Sequence, residues 1–121
     1  VPDIVRFTVS DSGFIDAREI LKRRLGPLYK PMYELNKLIG GYDLADSDVS
    51  ENVRRSRQPM LIVHGREDPT VPFSMAERIY ELCPADKDFL FTDKARHIET
   101  MYLAPAAYAE KLDGFIKKYI K

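Results

Sequence analysis

An aspartate and a histidine, each placed shortly after an apolar run, are the residues of this sequence best suited to work together. Asp68 follows Met60-Leu61-Ile62-Val63 through His64-Gly65-Arg66-Glu67, and His97 follows Phe89-Leu90-Phe91 through Thr92-Asp93-Lys94-Ala95-Arg96. A carboxylate that accepts one imidazole N–H fixes the ring's tautomer and stabilises the imidazolium. The other ring nitrogen is then free to act as a general base. In open parallel sheets such chemistry gathers at the C-terminal ends of the strands. The other polar groups there are Ser10, Asp11 and Ser12 after a first strand, Glu67 beside Asp68, and Asp93 and Lys94 ahead of His97.

The elements that must position these residues are legible as patterns. Ile4 to Val9 is a β-branched, mostly apolar run ending in Ser10-Asp11-Ser12-Gly13, and predicts a strand. Asp16 is placed to cap a helix with Ala17, Ile20, Leu21 and Leu25 on one face, stopped by Gly26-Pro27. Pro31 is placed to open a second helix with an apolar stripe of Met32, Leu35, Leu38 and Ile39, ended by Gly40-Gly41. A short helix is expected near Val49 to Arg55, with Asp48 and Glu51 as its capping pair. Met60 to Val63 shows no alternation, as in a parallel strand covered on both faces. Ser74 and Glu77 predict a capping box for a helix from Met75 to Leu82. Phe89 to Phe91 is the third strand, and a last helix from Pro105 to Tyr119 is expected to bury Tyr108, Leu112, Phe115 and Ile116. Strands alternating with amphipathic helices predict an α/β fold with a parallel sheet and right-handed crossovers. The helix between Asp68 and His97, followed by one strand, is expected to bring their two loops to the same sheet edge.

Composition narrows the partners. The 121 residues suit one domain, and 45% apolar with 31% charged residues allows a core and a solvated surface. Nineteen basic residues balance nineteen acidic ones, so no long-range field attracts nucleic acid or anionic lipid. Neither nucleic acid nor a membrane is expected as a partner: the apolar runs are far short of a span, and no signal-peptide pattern opens the chain. The lone Cys83 fits a reducing compartment, which makes a cytoplasmic location the expectation. With two histidines and one cysteine a metal site of usual ligand count would need carboxylates, and no metal or cofactor is expected. The chain starts at Val1-Pro2-Asp3 without a methionine and carries only three strand patterns, so it reads as a piece of something longer.

Pro59-Met60-Leu61-Ile62-Val63-His64-Gly65-Arg66-Glu67-Asp68-Pro69-Thr70-Val71-Pro72 resembles the strand and loop that deliver the acid in α/β-hydrolases of the serine esterase and peptidase kind. Lys94-Ala95-Arg96-His97 and the following helix are similar to that family's histidine loop and last helix. Val9 to Phe14 is similar to the strand end that precedes the cap region in some bacterial members. The resemblance implies a partial α/β-hydrolase fold: about three parallel strands with flanking helices, residues 14–58 as a helical cap-like insertion, and residues 59–121 as the units bearing acid and histidine. It implies Asp68 as triad acid, its spacing from His64-Gly65 preferred over that of Glu67, and His97 as triad base. His64, which closes a buried strand, reads as a structural histidine.

The family's nucleophile sits in Gly-x-Ser-x-Gly on a strained strand-to-helix turn. None of Ser10, Ser12, Ser47, Ser50, Ser56 or Ser74 is flanked that way, and Ser12 in Ser-Asp-Ser-Gly-Phe reads as a strand-end turn serine. The nucleophile and the oxyanion-hole loop are therefore expected upstream of Val1. The parent implied is an ester hydrolase acting on a small-molecule ester by Ser-His-Asp acyl transfer, with this chain alone inactive. A binding or assembly domain derived from the same fold is the alternative, as is one chain of a two-chain enzyme. The first strand is expected to expose an unpaired edge through which the chain dimerises or aggregates.

Overall fold

The computed structural model describes residues 4–120. Three parallel strands form one sheet in the order β1 (Thr8–Asp11), β2 (Met60–Gly65), β3 (Lys87–Thr92). Between β1 and β2 lie α1 (Ala17–Leu25), a 3-10 turn over Gly26–Leu28, α2 (Tyr29–Gly40), a second 3-10 turn over Leu44–Ser47, and α3 (Ser50–Arg54). α4 (Phe73–Leu82) connects β2 to β3, and α5 (Thr100–Leu103) and α6 (Pro105–Tyr119) follow β3.

β2 is the central strand, and its side chains alternate between two apolar layers as the strand period requires. Ile62 packs with Met75, Ala76 and Ile79 of α4, with Val71 and Cys83, and with Ile15 and Val53 from the intervening segment. Leu61 and Val63 point the other way, onto Phe115 of α6 with Phe7, Leu90, Tyr108 and Tyr119 around it. The unalternating apolar run is thus a strand buried on both faces, as its composition predicts. Residues 14–58 are rooted in this core through Ile15, Val49 and Val53.

The first strand sits further along the chain than its apolar run predicts. Its ladder opens with Thr8 opposite Met60 and closes with Asp11 opposite Val63. Pairing, not composition, sets these limits: β2 begins only after Pro59, whose carbonyl accepts the Thr8 amide at 2.9 Å, so Ile4 to Phe7 have no strand to pair with.

Helix starts also differ in detail. Asp16 caps α1 as expected, accepting the Arg18 amide at 2.8 Å. The Arg18 guanidinium, closing onto the same carboxylate at 2.7 Å, holds the Asp16 carboxyl below its usual range. α2 starts at Tyr29 rather than Pro31, because the 3-10 turn over Gly26–Leu28 runs directly into it. Its stripe is not covered: Met32, Leu35, Leu38 and Ile39 are all exposed among the described residues. At α3, Asp48 accepts the Ser50 amide at 2.9 Å, while Glu51 turns to Arg54 instead of completing a pair. The Ser74–Glu77 capping box does not form. α4 opens at Phe73 after Pro72, which leaves Ser74 inside the first turn with no cap to make. On α6 only Phe115 is buried; Tyr108 and Leu112 are half-buried, and Ile116 is exposed.

Candidate active site

Asp68 and His97 meet at the C-terminal edge of the sheet, on the loops that leave β2 and β3. His97 Nδ1 lies 2.8 Å from Asp68 Oδ2. The Asp68 side chain is fully buried, whereas the His97 side chain is 36% exposed. Asp68 Oδ1 is used differently: it accepts the backbone amides of Thr70 at 2.7 Å and Val71 at 2.9 Å. Asp68 therefore both shapes its own turn ahead of Pro69, as aspartates commonly do, and presents its second oxygen to an imidazole. Because a carboxylate only accepts, His97 Nδ1 must carry a proton toward it, which leaves Nε2 unprotonated in the neutral ring. Nε2 makes no hydrogen bond among the described residues. A buried acceptor, a fixed tautomer and an open ring nitrogen are what a general base requires.

Glu67, the neighbouring carboxylate, is exposed and makes no side-chain hydrogen bond or ion pair among the described residues. Asp93 pairs with Arg66 at 3.1 Å on the rim, where the Arg66 guanidinium lies 4.7 Å from the centre of the Phe73 ring. Lys94 takes a left-handed backbone conformation, φ 61°, at the turn that follows β3.

His64 is fully buried beneath the pair. Its Nε2 lies 3.0 Å from the Val71 carbonyl and 3.4 Å from Asp68 Oδ2, both acceptors, so Nε2 carries the proton. Nδ1 is buried without a hydrogen-bond partner among the described residues. One ring nitrogen of His64 is thus satisfied, and its N–H also faces the carboxylate oxygen that His97 uses.

Gly65 is the contributor that sequence spacing alone does not reveal. A Cβ at this position would fall 2.2 Å from the Ala95 carbonyl oxygen and 2.6 Å from that of Arg96. The histidine loop crosses directly over the end of β2, tied there by Arg66 N–H to the Thr92 carbonyl at 3.0 Å and Glu67 N–H to the Ala95 carbonyl at 3.1 Å. The glycine in His64-Gly65 is the sequence signal for this crossing, but only the fold shows what crosses it.

No serine hydroxyl bonds the His97 ring among the described residues. Ser47 accepts the Ala17 amide at 3.2 Å and donates to the Leu44 carbonyl at 2.6 Å, while Ser12 binds the histidine loop on its far side from Asp68's bond. No group of three or more His, Cys, Asp and Glu side chains among the described residues is placed to hold a metal ion. No described helix is long and apolar enough to cross a membrane.

No family model matches the chain. An α/β-hydrolase domain-containing protein of Caenorhabditis elegans, aho-3, is 38% identical over 66 residues, which is 54% of this chain and 19% of that protein. A pimeloyl-[acyl-carrier protein] methyl ester esterase of Vibrio vulnificus is 26% identical over 108 residues, covering 88% of this chain and 42% of that one. The chain thus spans less than half the length of these curated relatives. Among solved structures, acetyl xylan esterase 1 from Thermoanaerobacterium matches 97% of this chain with a TM-score of 0.67 at 16% identity, over 39% of its own length. An esterase of Pyrococcus furiosus matches 98% with a TM-score of 0.65 at 19% identity, over 46% of its length. With three parallel strands, helices on both faces and these likenesses in sequence and fold, the chain carries part of an α/β-hydrolase fold.

Proposed function

We propose that this chain supplies the acid and the base of a serine-hydrolase site, Asp68 and His97, in a protein that cleaves a carboxylic ester. The observation that carries the reading is the 2.8 Å contact between His97 Nδ1 and a carboxylate whose other oxygen is already fixed by two backbone amides. In that arrangement His97 Nε2 takes the proton of an attacking serine and returns it to the leaving alcohol. Asp68 holds the ring and stabilises the imidazolium between those steps. The nucleophile and the oxyanion donors come from residues outside this chain. An ester is favoured over an amide by the esterase named among the curated relatives and by the esterases among the fold matches. Exposed Ile98, Met101, Tyr102 and Leu103, directly after His97, offer apolar surface to an acyl group. We place the protein in the cytoplasm on its lone, buried Cys83.

The test compares two proteins on p-nitrophenyl acetate: this chain alone, and the full-length product of the reading frame that encodes it. Hydrolysis is expected only from the longer protein, and His97→Ala is expected to reduce it by orders of magnitude. Turnover by this chain alone at a rate set by His97 would overturn the division of the site. A full-length product with neither hydrolysis nor reaction with a fluorophosphonate probe would favour the binding or assembly reading.

A second copy of the chain is the partner we propose for the isolated polypeptide. Among the described residues β1 pairs on one side only, with β2, and its Val9 is exposed. Sedimentation velocity is expected to show mass rising with concentration, and a single monomeric boundary throughout would count against it.

A further inference from the structure

β1 leaves the sheet through a residue with an unusual backbone. Ser12 is buried and has φ of 52°, a left-handed conformation that is unfavourable for a non-glycine residue. Its amide continues the ladder, donating to the Val63 carbonyl at 2.9 Å. Its hydroxyl accepts the backbone N–H of Ile98 at 3.0 Å and donates to Asp11 Oδ1 at 3.2 Å. Asp11 Oδ2 in turn accepts the Tyr108 hydroxyl at 3.1 Å. Burial, with the Asp11 charge adding to it, pushes the Tyr108 phenol up, so the hydroxyl stays a donor.

The residue held by this chain of bonds is itself strained. Ile98 has φ of 55°, and a β-branched side chain at positive φ persists only where its surroundings enforce it. Ile98 is the residue immediately after His97. Upstream, the loop is fixed where it crosses Gly65 and where Glu99 Oε2 accepts the Arg96 amide at 2.9 Å. On the downstream side of His97, the first amide tied to another part of the chain is that of Ile98.

We propose that Ser12 is a positioning residue for His97: its hydroxyl, steadied by Asp11 and Tyr108, clasps the Ile98 amide and holds the strained turn that aims the imidazole at Asp68. The functional meaning rests on reading Asp68 and His97 as acid and base, but the clasp is measurable without catalysis. Without the Oγ acceptor the Ile98 turn relaxes, and the ring loses the backbone angle that sets its contact with Asp68. The end of β1 thereby shares one set of bonds with the histidine loop and α6, which lie 86 and 97 positions further along the chain.

Ser12→Gly is the informative variant, because glycine adopts the same left-handed backbone freely while the CH₂OH group that bonds Ile98 is removed. In this chain, amide hydrogen exchange by NMR is expected to speed up at Ile98 by about tenfold, the loss of one hydrogen bond, with core amides of β2 unaffected. The His97 Nδ1 proton resonance, sharp and downfield while bonded to Asp68, is expected to broaden. Tyr108→Phe should act in the same direction with a smaller change. Unaltered Ile98 exchange and an unaltered Nδ1 resonance in Ser12→Gly would overturn the clasp. In the full-length protein Ser12→Gly is expected to lower kcat at unchanged KM. A loss of hydrolysis in Asp68→Asn together with an unaltered Ile98 amide in Ser12→Gly defeats the clasp alone. Accelerated Ile98 exchange in a protein whose hydrolysis survives Asp68→Asn leaves the clasp standing and defeats the acid assignment.

Discussion

Gly65→Ala is expected to separate His97 from Asp68 and to destabilise the fold by about 3 kcal/mol or more, the upper range for a steric clash inside a packed region. The added methyl would meet the Ala95 carbonyl oxygen at 2.2 Å and the Ala95 carbonyl carbon at 2.6 Å. Both are backbone atoms, so no side chain can swing aside. The histidine loop must lift from the end of β2, which breaks the bonds from Arg66 and Glu67 amides to the Thr92 and Ala95 carbonyls. His97 rides on that loop, whereas Asp68 stays with its own turn. Urea unfolding of the chain would read the stability loss, and disappearance of the His97 Nδ1 proton signal would read the separation. A variant with wild-type midpoint and signal would mean that the loop does not lie against Gly65 as described.

On the proposed assignment, Asp68→Asn is expected to lower ester hydrolysis by the full-length protein by about 10⁴-fold while leaving the fold nearly intact. The amide oxygen of Asn can still accept from Thr70 and Val71, the two bonds that shape the turn. Its NH₂ group then faces His97 Nδ1 and His64 Nε2, where the carboxylate oxygen accepted from both. A donor opposite His97 Nδ1 favours the tautomer with the proton on Nε2, and the base is lost. Asp68→Ala differs in kind. It leaves two buried backbone amides without a partner at about 1–3 kcal/mol each, so stability falls along with activity. Measuring kcat and the urea midpoint for both variants separates tautomer control from turn formation. Near wild-type kcat in Asp68→Asn would rule Asp68 out as the acid.

Much of the architecture is written locally. The β2 run, the breaks at Gly26 and Gly41, the Asp16 cap and the α6 period all follow from the chemistry of adjacent or near-adjacent residues, and each forms. Where local signals were outvoted, the deciding partner was distant in sequence. β1 starts at Thr8 because Pro59 and Met60 lie opposite it, and α4 starts at Phe73 because the Asp68 turn delivers the chain there through Val71 and Pro72. The α2 stripe is amphipathic as a pattern, yet nothing among the described residues covers it. Periodicity tells that a face is apolar and not what it packs against.

The site divides in the same way. Residue types and spacing single out Asp68 and His97, because one helix and one strand between their loops return the chain to the same sheet edge. By itself the sequence determined the chemical capacity of those two side chains, the turn-forming role of Asp68 and the strand–helix alternation that brings their loops to one edge. Tertiary structure decided the rest. It buried the Asp68 carboxylate and left that of Glu67 exposed, and it gave Gly65 its purpose by laying the Ala95 carbonyl against it. It also tied Ser12 to Ile98 across 86 positions. The reason is physical: capping, turn chemistry and periodicity act within a few residues, whereas steric exclusion and hydrogen-bond satisfaction act between whatever surfaces the sheet brings together.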